Sequence, residues 1–486
     1  MNFPSRRAKI VATLGPATST AESIEELLKA GVNVVRMNFS HGTHDQHRVR
    51  FELVRAAAKK LGKPVAILQD LQGPKLRVGK FPSGTLTIDS GEQVILRLET
   101  SKSLAEPKLK VIPFNYERLA QEVAVGHRIL IDDGNLEIKV TAITDGDIHA
   151  KVIYGGLVKD HKGMNFPDTR VTIEAFTPKD REDLEFGLQI GIDFCALSFV
   201  RSVDDIASVR KFMADRKKDI PIVSKIEKGE AIENLDSIIA ASDAVMVARG
   251  DLAVEVGTAL VRHLQKRIIR QCNLRGIPVI TATQMLESMI NTPRPTRAEA
   301  SDVANAVIDG TDALMLSAES ASGKFPTLAV SVMHSIILET EQQADELRPS
   351  TWLDTGGQKG DRLQEAVEHA AGQLAAWIDA KAIACTTHTG RAARALAKYR
   401  PRVPIIAFTD VAAVRRQLAL VWGVETVQIE PNTDIDKLFV FAEVEIARMR
   451  LAGKGDRIVL TAGWPPLQSG STNLMKVVTV RSDYTH

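Results

Sequence analysis

The chain has 486 residues and a formal net charge of +2, with 44% hydrophobic, 25% charged and 5% aromatic residues. This length exceeds what one hydrophobic core usually supports, so we expect two to four domains. The near-neutral charge and the few aromatic residues argue against a nucleic-acid partner. Three cysteines, Cys195, Cys272 and Cys385, have neither disulfide nor metal-site spacing, and no secretory signal or membrane span is evident. We therefore expect a cytoplasmic protein with no membrane partner.

From residue 9 to about residue 347, short apolar runs alternate with longer amphipathic stretches. The first amphipathic stretch, STAESIEELLKAG, starts with serine or threonine and ends with glycine, as helix caps prefer. The apolar runs are KIVATLG, VVRMNFS, VAILQDL, FCALSFV, PIVSKIE, AVMVARGD, PVITATQM and ALMLSAES. Such alternation predicts parallel strands covered by helices. Eight units predict an α/β fold built on a (β/α)8 TIM barrel, whose active site lies at the carboxyl ends of the strands.

Two segments depart from the barrel pattern. After the third run, about a hundred residues of short alternating strands with Gly and Asp turns predict a small β-barrel inserted at 74–169. Inserted at the end of a barrel strand, this module is placed to act as a lid. The catalytic barrel is then expected at 1–73 and 170–347. After the weakly structured PSTWLDTGGQKGD, strands and helices alternate again and predict a C-terminal α/β domain at 361–486.

Polar side chains accumulate where the predicted barrel strands end. They are Arg36, Asn38, Ser40, Asp70, Lys225, Glu227, Arg249, Asp251, Thr283, Gln284, Ser317 and Glu319. Because the carboxyl ends of barrel strands meet at one mouth, we expect these side chains to share a site. A single polar strand end occurs in any protein. The twelve residues belong to six strand ends, and stability alone does not explain six polar strand ends at the same mouth.

Lys225 and Glu227 in the segment SKIE are two residues apart, so an extended strand aims both side chains to one side. With Asp251 from the next run, two carboxylates together with substrate oxygens and water would form a Mg2+ site. Gly250 lets backbone N–H groups approach an anion, and a lysine beside the metal can stabilise a phosphoryl group during transfer. The alternative is an ion pair between Lys225 and Glu227 without a catalytic role.

The second run places Arg36, Asn38 and Ser40 on one face of a strand. Arg36 suits bidentate binding of phosphate, while Asn38 and Ser40 offer neutral oxygens next to the carboxylate of Asp70. His41 is either a phosphate contact or a capping histidine.

The stretch from Thr281 to Pro326 is the densest in polar residues. Thr283 is a candidate hydrogen-bond partner for a small substrate, and Ser317 with Glu319 is a candidate proton relay. A structural role is the alternative for Thr283, Ser317 and Glu319. Arg294 and Arg297 in the same stretch are interpreted as solvated loop charges.

Seven stretches of this chain resemble the pyruvate kinase family in order and in separation. They are KIVATLGPAT, VVRMNFSHG, LQDLQGPKLRVG, KGMNFPD, SKIEKGEAIENLD, VMVARGDLAVEVG and ATQMLESMINTPRPTRAEASDVANAVIDGTDALMLSAES. The resemblance continues to STNLMKVVTV and so covers almost the whole chain. It implies Mg2+-dependent transfer of the phosphoryl group of phosphoenolpyruvate to ADP. Protonation of the enolate then gives pyruvate beside the ATP, in the last step of glycolysis.

The resemblance also implies roles for individual residues. Glu227 and Asp251 match the ligands of Mg2+, for which Mn2+ can substitute. The residues that match catalytic positions are Lys225, Thr283, Arg36 and Ser317. Those that match substrate contacts are Arg36, Lys225, Gly250, Asp251 and Thr283, with backbone N–H groups of Gly250 and Asp251 meeting the substrate carboxylate. Those that match contacts of the ADP or ATP phosphates are His41, Arg77, Asp132 and Lys162.

Many family members bind K+ at positions that match Asn38, Ser40, Asp70 and the backbone carbonyl of Leu71. Those members usually have threonine in place of Leu71 and glutamate in place of Lys75. We expect the Lys75 ammonium to lie next to Asp70 and to supply the positive charge itself, which predicts activity without K+. The alternative is a solvated Lys75 with no catalytic consequence.

The segment TTHTGRAAR predicts a phosphate cradle ahead of a helix, formed by Thr386, Thr387, Thr389, Gly390 and Arg391. An ordinary strand–turn–helix loop is the alternative. The resemblance implies a phosphorylated allosteric effector here, which is a sugar monophosphate, fructose 1,6-bisphosphate or AMP, and it implies a homotetramer. Family loops often have a hydroxyl residue where Ala392 stands, so one contact is missing.

Two other functions fit parts of the pattern. A metal-dependent lyase of pyruvate or oxaloacetate would also use two carboxylates on a barrel, but it has no need of Asp132 and Lys162 in a nucleotide lid. A catalytically silent metabolite sensor would be expected to lack Lys225, Glu227 or Asp251, and all three are present.

Overall fold

The computed structural model describes residues 6–100, 109–347, 362–431, 434–464 and 472–482. The predicted linker PSTWLDTGGQKGD lies outside these residues. Elements are numbered in chain order. In the part of the chain that the structure describes, no helix has both the length and the apolar character needed to cross a bilayer.

Eight parallel strands form a closed barrel, and this confirms the predicted (β/α)8 fold. The strands are β1 Lys9–Thr13, β2 Val34–Asn38, β3 Ala66–Asp70, β12 Phe194–Leu197, β13 Ile222–Ile226, β14 Ala244–Ala248, β15 Val279–Ala282 and β16 Ala313–Leu316. Each strand pairs with the next, and β16 closes the barrel on β1, with Ala313 opposite Lys9. Every one of the eight predicted apolar runs contains one of these strands.

The barrel is covered by helices that follow its strands. They are α1 Ala21–Ala30, α2 His44–Leu61, α4 Pro178–Ile190, α5 Val203–Ala214, α6 Gly229–Glu233, α7 Leu235–Ala241, α8 Arg249–Val256, α9 Thr258–Arg275, α10 Arg297–Asp309, α11 Ala318–Ala321 and α12 Pro326–Leu347. The predicted caps of α1 are present: the Thr20 side chain accepts from the backbone N–H of Ser23, and Gly31 ends the helix at φ 121°.

A second unit is inserted between β3 and α4. Its elements are β4 Thr85–Ile88, β5 Gln93–Leu98, β6 Lys110–Phe114, α3 Leu119–Glu122, β7 Arg128–Ile131, β8 Leu136–Thr144, β9 Asp147–Tyr154, β10 Gly156–Lys159 and β11 Met164–Asn165. One sheet has the order β11-β7-β8-β9-β5-β6, and β10 pairs with β4. Single bridges from Val78 to Phe114 and from Arg77 to Gly163 join the two edges of the larger sheet. The insert is therefore a small barrel around its own core.

The C-terminal unit is a five-stranded sheet with helices, which confirms the predicted α/β domain. Its elements are α13 Arg362–Trp377, β17 Ala382–Thr386, α14 Arg391–Lys398, β18 Ile405–Thr409, α15 Ala412–Gln417, β19 Val424–Gln428, α16 Ile435–Arg448, β20 Arg457–Gly463 and β21 Thr472–Thr479. The strand order is β19-β18-β17-β20-β21, and β21 is antiparallel to its neighbour.

A short turn at Leu418–Leu420 of the C-terminal unit joins the core inside the catalytic barrel. Ala419 and Leu420 belong to the same buried cluster as the inward side chains of the barrel strands, and Leu420 is fully buried. Beside this turn, Arg400 pairs with Asp312 at the start of β16 at 3.0 Å. The C-terminal unit therefore closes the end of the barrel opposite the catalytic mouth.

Truncating Leu420 tests this closure. We expect Leu420→Ala to lower the free energy of unfolding by about 2–5 kcal/mol, because a fully buried leucine loses its contacts and leaves a cavity. Urea unfolding followed by tryptophan fluorescence measures the change. Leu260→Ala is the control, because Leu260 is 53% exposed and its loss should cost less than about 0.5 kcal/mol. Equal unfolding midpoints for the two variants would contradict the conclusion that Leu420 of the C-terminal unit closes the end of the barrel.

Candidate active site

The carboxyl ends of the barrel strands bring most of the predicted polar residues to one mouth. Arg36 and Asn38 lie on β2, Asp70 ends β3, and Lys225 lies on β13. The remaining residues stand just beyond strand ends: Glu227 after β13, Asp251 in the first turn of α8, Thr283 after β15 and Ser317 after β16. Parallel strands that run in the same direction around a closed barrel require this convergence.

Lys225 stands among three oxygen atoms at this mouth. Its Nζ lies 3.2 Å from Asp70 Oδ1 and 2.9 Å from Glu227 Oε1, both as ion pairs. It also donates a hydrogen bond of 2.8 Å to Ser198 Oγ. Burial alone lowers the pKa of Lys225, but the charges of Asp70 and Glu227 outweigh burial and raise the pKa above its ordinary value. These contacts therefore favour the charged ammonium form of Lys225.

Asp70 is shared between two cations. Arg36 Nε donates to Asp70 Oδ2 at 2.6 Å, and a second guanidinium nitrogen donates to Thr13 Oγ1 at 3.1 Å. Burial works against ionisation of Asp70, but the charges of Lys225 and Arg36 prevail and lower its pKa. The carboxylate thus fixes both cations toward the same mouth.

Glu227 and Asp251 form the pair of carboxylates that the sequence predicts. Glu227 Oε2 accepts a 2.8 Å hydrogen bond from the backbone N–H of Phe199. Burial raises the pKa of Glu227, Lys225 opposes the rise, and the like charge of Asp251 adds to it. Two acidic groups that repel each other suit a divalent cation. Because the described residues contain no cluster of three or more His, Cys, Asp or Glu ligands, most oxygen ligands would come from substrate and water.

Thr283 lies in a strained turn after β15. Its φ is 68° and that of Gln284 is 53°, both in the left-handed region that a β-branched residue such as Thr283 rarely adopts. Arg249 fixes this turn by donating to the carbonyls of Ala282 at 3.1 Å and of Thr283 at 2.5 Å. Arg249 also pairs with Asp302 at 2.7 Å. The expectation that the Arg249 side chain joins the mouth is therefore wrong: the guanidinium contacts Gln265 of α9 and Asp302 of α10.

The backbone N–H of Gly250 donates to Thr283 Oγ1 at 2.9 Å, and this hydroxyl lies 2.7 Å from the carbonyl of Ala282. Of the two N–H groups expected for a substrate carboxylate, the one on Gly250 is thus engaged by Thr283 in this structure. The N–H of Asp251 lies in the first turn of α8, where helical N–H groups lack an intrahelical acceptor.

Ser317 and Glu319 lie at the start of α11. The buried Glu319 carboxylate accepts from the backbone N–H of Ser317 at 2.7 Å and from that of Leu286 at 3.2 Å. These bonds fix the loop after β15 against α11. No described hydrogen bond joins the Ser317 hydroxyl to Glu319, whose carboxylate accepts from backbone N–H groups, and the expected relay stays a prediction.

The residues of the predicted K+ pocket adjoin Asp70. Asn38 Oδ1 accepts from the backbone N–H of Ser40 at 3.1 Å, and the Leu71 carbonyl accepts from Ser198 Oγ at 2.7 Å. No described ion pair joins Lys75 to Asp70, and the role of Lys75 as the cation of this pocket stays a prediction.

Lys75 Nζ lies 4.0 Å from Asp251, while the described ion-pair partners of Asp70 are Arg36 and Lys225. The chain turns at Gly73, with φ 66°, and the Lys75 stem then packs against Gly163 of the insert.

The residues predicted to meet the nucleotide lie mainly on the insert. Lys162 Nζ pairs with Asp132 Oδ1 at 2.6 Å, and Arg77 donates to the carbonyl of His161 at 2.9 Å. Arg77, Asp132 and Lys162 thus lie on the same side of the insert and form one charged group. His41 is exposed on the loop between β2 and α2, and no described contact joins it to that group.

The predicted effector residues span the loop between β17 and α14. Thr386 ends β17, and the backbone N–H of Thr387 donates to the carbonyl of Phe408 at 2.9 Å. Gly390, with φ 78°, comes directly before Arg391. Thr389 lies between them on the same loop.

Arg391 also lines a cavity of about 500 Å3 between the end of α9 and helices α13 and α14. Arg394 and Glu368 share this cavity. It lies between the barrel and the C-terminal unit, which the sequence pattern did not indicate.

Sequence reasoning missed Ser198 and Phe199, which follow β12 and contact Lys225 and Glu227. A serine directly after an apolar strand was the available signal. The strained backbone of Phe199, with φ 55°, has no sequence signature.

Comparisons with known proteins agree with this architecture. Residues 5–330 match the family model "Pyruvate kinase, barrel domain" and residues 365–478 match "Pyruvate kinase, alpha/beta domain". The chain is 45% identical over 481 residues to pyruvate kinase 2 of Synechocystis, covering 98% of this chain and 80% of that one. It is 43% identical over 479 residues to pyruvate kinase of Mycobacterium tuberculosis, covering 99% of each. A crystal structure of a pyruvate kinase from Cryptosporidium parvum superimposes with a TM-score of 0.89 at 35% identity, covering 98% of this chain and 96% of that one.

Glu368 generates a pH-dependence that can be measured. Burial raises the pKa of Glu368 to about 8, so the folded chain holds a proton that the unfolded chain releases above its ordinary pKa of about 4.5. Its stabilising contribution is complete below about pH 4.5 and is lost as pH rises toward 8. We expect Glu368→Gln, which imitates the protonated acid, to remove a slope of about 1.4 kcal/mol per pH unit between pH 5 and 8.

Urea unfolding at several pH values measures this slope, with Glu365→Gln as the control. Glu365 is a neighbouring carboxylate that pairs with Lys398. Identical pH-dependences for wild type and Glu368→Gln would contradict the assignment.

Proposed function

The chain belongs to the pyruvate kinase family, and on that premise we propose that it transfers the phosphoryl group of phosphoenolpyruvate to ADP in a Mg2+-dependent reaction. The observation that carries the proposal is the position of the Lys225 ammonium between Asp70 and Glu227. Arg36 pairs with the carboxylate of Asp70. Two fixed cations at one mouth suit a phosphate that changes charge distribution during transfer.

In the proposed mechanism, Arg36 and Lys225 bind the phosphoryl oxygens and stabilise their charge as the bond to the enol oxygen breaks. Glu227 and Asp251 would hold Mg2+, or Mn2+ in its place. When bound, the metal supplies positive charge to substrate and phosphoryl oxygens. The N–H of Asp251 offers a donor for the substrate carboxylate, and the N–H of Gly250 becomes a second one if Thr283 releases it.

After transfer, the enolate of pyruvate takes up a proton at its methylene carbon. Thr283 and Ser317 are the hydroxyl residues at this part of the mouth, and we assign them to orient the substrate and supply the proton through solvent. The Thr283 hydroxyl is oriented by two contacts of its own, the N–H of Gly250 at 2.9 Å and the carbonyl of Ala282 at 2.7 Å. The final donor is one of these two residues or a water that they bind.

The nucleotide is assigned to the insert side of the mouth. Arg77 and Lys162 would bind the ADP and ATP phosphates, Asp132 would orient Lys162, and His41 would approach from the barrel side. Closure of the insert over the mouth would exclude water from the transferring phosphoryl group.

We propose that activity does not require K+. Asp70 pairs with Arg36 and Lys225, which match family positions, so the proposal depends on Lys75, where K+-binding members usually have glutamate. Lys75 adds a third positive charge beside Asp251, where it would face the bound anions.

Regulation and assembly are also proposed. A phosphorylated effector would bind the loop of Thr386 to Arg391, where hydroxyls and a guanidinium precede α14. We propose a homotetramer, as the family resemblance implies; among the described residues β21 lies at the edge of its sheet, and its Met475 and Val477 are exposed. The three buried, unpaired cysteines suit the reducing cytoplasm.

Replacing Lys225 tests the assignment of the transfer step. We expect Lys225→Met to lower kcat by about 100- to 1,000-fold with little change in KM for phosphoenolpyruvate, because the lost charge acts mainly on the transferring group. Coupled pyruvate formation measures both constants. Lys218→Met is the control, because Lys218 is an exposed lysine shortly before β13. A Lys225→Met enzyme as active as this control would overturn the mechanism.

The K+ requirement is tested by turnover in tetramethylammonium buffer without K+ or Na+. We expect wild type to be active there and Lys75→Glu to need added KCl, because the variant replaces a cation with an anion beside Asp251. Lys80→Glu makes the same charge change at an exposed position and should remain independent of K+. If wild type needs KCl and Lys75→Glu behaves identically, the role of Lys75 is contradicted while the kinase assignment stands.

A further inference from the structure

We propose that Ser198 is a positioning residue for phosphoryl transfer, which holds the ammonium of Lys225 through a directional hydrogen bond. This inference rests on the proposed function, since it assigns a role to Ser198 in the step that Lys225 serves. Ser198 follows β12, is 1% exposed, and belongs to a run that contributed no polar residue to the predicted site.

The direction of each hydrogen bond at Ser198 is determined by chemistry. An ammonium can only donate, so the 2.8 Å contact with Lys225 Nζ uses a lone pair of Ser198 Oγ. A carbonyl can only accept, so the 2.7 Å contact with Leu71 uses the hydroxyl proton. The hydroxyl therefore cannot rotate without losing one of the two bonds.

Ser198 differs from the other neighbours of Lys225 in charge. Asp70 Oδ1 at 3.2 Å and Glu227 Oε1 at 2.9 Å contact the ammonium as charged groups, whereas Ser198 Oγ at 2.8 Å is neutral. The two carboxylates attract the ammonium and offset part of its charge. The third contact, with the hydroxyl, holds the ammonium between them without offsetting any more of that charge.

The backbone after Ser198 fixes the other half of the site. Phe199 has φ 55°, which is rare for a bulky residue, and in this conformation its N–H donates to Glu227 Oε2 at 2.8 Å. The two consecutive residues thus hold Lys225 by a side chain and Glu227 by a backbone group. Strain of this kind persists where surrounding contacts enforce it, and it is concentrated at functional sites.

Gly73 supports the same turn from the opposite side. A Cβ on Gly73 would lie 2.8 Å from Ser198 Cβ and 2.9 Å from the Phe199 ring, so the segment after Leu71 packs directly on the pair. Little space is left for Ser198 to adopt another rotamer. The position of Lys225 is therefore set by the close packing of the strand ends of β3 and β12.

Removing the Ser198 hydroxyl should affect transfer more than binding. In Ser198→Ala, the ammonium would move toward the carboxylates and the buried Leu71 carbonyl would lose its donor. We expect kcat to fall about 10- to 100-fold, as for other residues that orient a catalytic group. We expect KM for phosphoenolpyruvate to change less than about threefold, because the charge of Lys225 remains.

Two further variants separate positioning from packing. Ser198→Cys nearly preserves the shape but substitutes a weakly hydrogen-bonding thiol, so it should lose kcat to a similar extent. Ser224→Ala removes another buried hydroxyl one residue from Lys225, where it bonds Ser242 at 2.7 Å instead, and kcat should stay within about twofold of wild type. Thermal unfolding of all three establishes that they are folded.

The decisive readout compares two half-reactions. Exchange of the methyl protons of pyruvate in D2O, followed by NMR, reports the enolate chemistry, which needs no phosphoryl transfer. We expect Ser198→Ala to keep this exchange within about twofold while transfer falls. Full transfer activity in Ser198→Ala, full activity in Ser198→Cys, or an equal loss of both half-reactions would each overturn the proposal. Failure of wild type to form pyruvate from phosphoenolpyruvate and ADP would instead reject the proposed function.

Discussion

The catalytic mouth depends on one arrangement of charges: the carboxylates of Asp70 and Glu227 on either side of the Lys225 ammonium. Each of these groups is buried and would be costly alone, since burial of a single charge disfavours ionisation. Together with Arg36 they compensate one another, because two cations offset two carboxylates at the barrel opening. The like charge of Asp251 beside Glu227 leaves a local need for a further cation. The network is thus arranged for an anionic substrate and a metal.

The barrel supplies the geometry that this network requires. Neighbouring strands differ in sequence position by tens to more than a hundred residues, yet their carboxyl ends meet at one rim. The C-terminal unit closes the opposite rim with Leu420 and is fixed there by the pair of Arg400 and Asp312. The loop from Thr386 to Arg391 and the catalytic mouth are therefore connected through one packed structure. Such continuity is a physical condition for coupling between two sites.

Much of this organisation could be predicted from the sequence because it depends on local patterns. The eight apolar runs identify the barrel strands, and the two-residue spacing of Lys225 and Glu227 places both at one mouth. The domain limits and the roles of the individual site residues remain predictions. Side-chain directions after a strand end were less predictable: Lys75 was expected beside Asp70 and lies near Asp251, because Gly73 turns the chain and the insert packs against the lysine stem.

Contacts between distant segments account for other features that the local patterns did not predict. Arg249 was expected at the mouth, but its guanidinium bonds the turn after β15 and Asp302, which follow it by more than thirty residues. Glu319 likewise accepts a hydrogen bond from a distant segment, from the backbone N–H of Leu286. Ser198 escaped notice because its importance depends on Lys225 and Leu71, each reached through a different strand. No local periodicity encodes such pairings.

The central claim is that this mouth transfers phosphoryl groups from phosphoenolpyruvate to ADP. The most direct measurement is 31P NMR of the purified protein with phosphoenolpyruvate, ADP and MgCl2. The claim predicts that the phosphoenolpyruvate signal disappears as the γ-phosphate signal of ATP grows in equal amount, and that omitting ADP stops both changes. Consumption of phosphoenolpyruvate without ADP, or binding of phosphoenolpyruvate with no ATP formed, would contradict the claim.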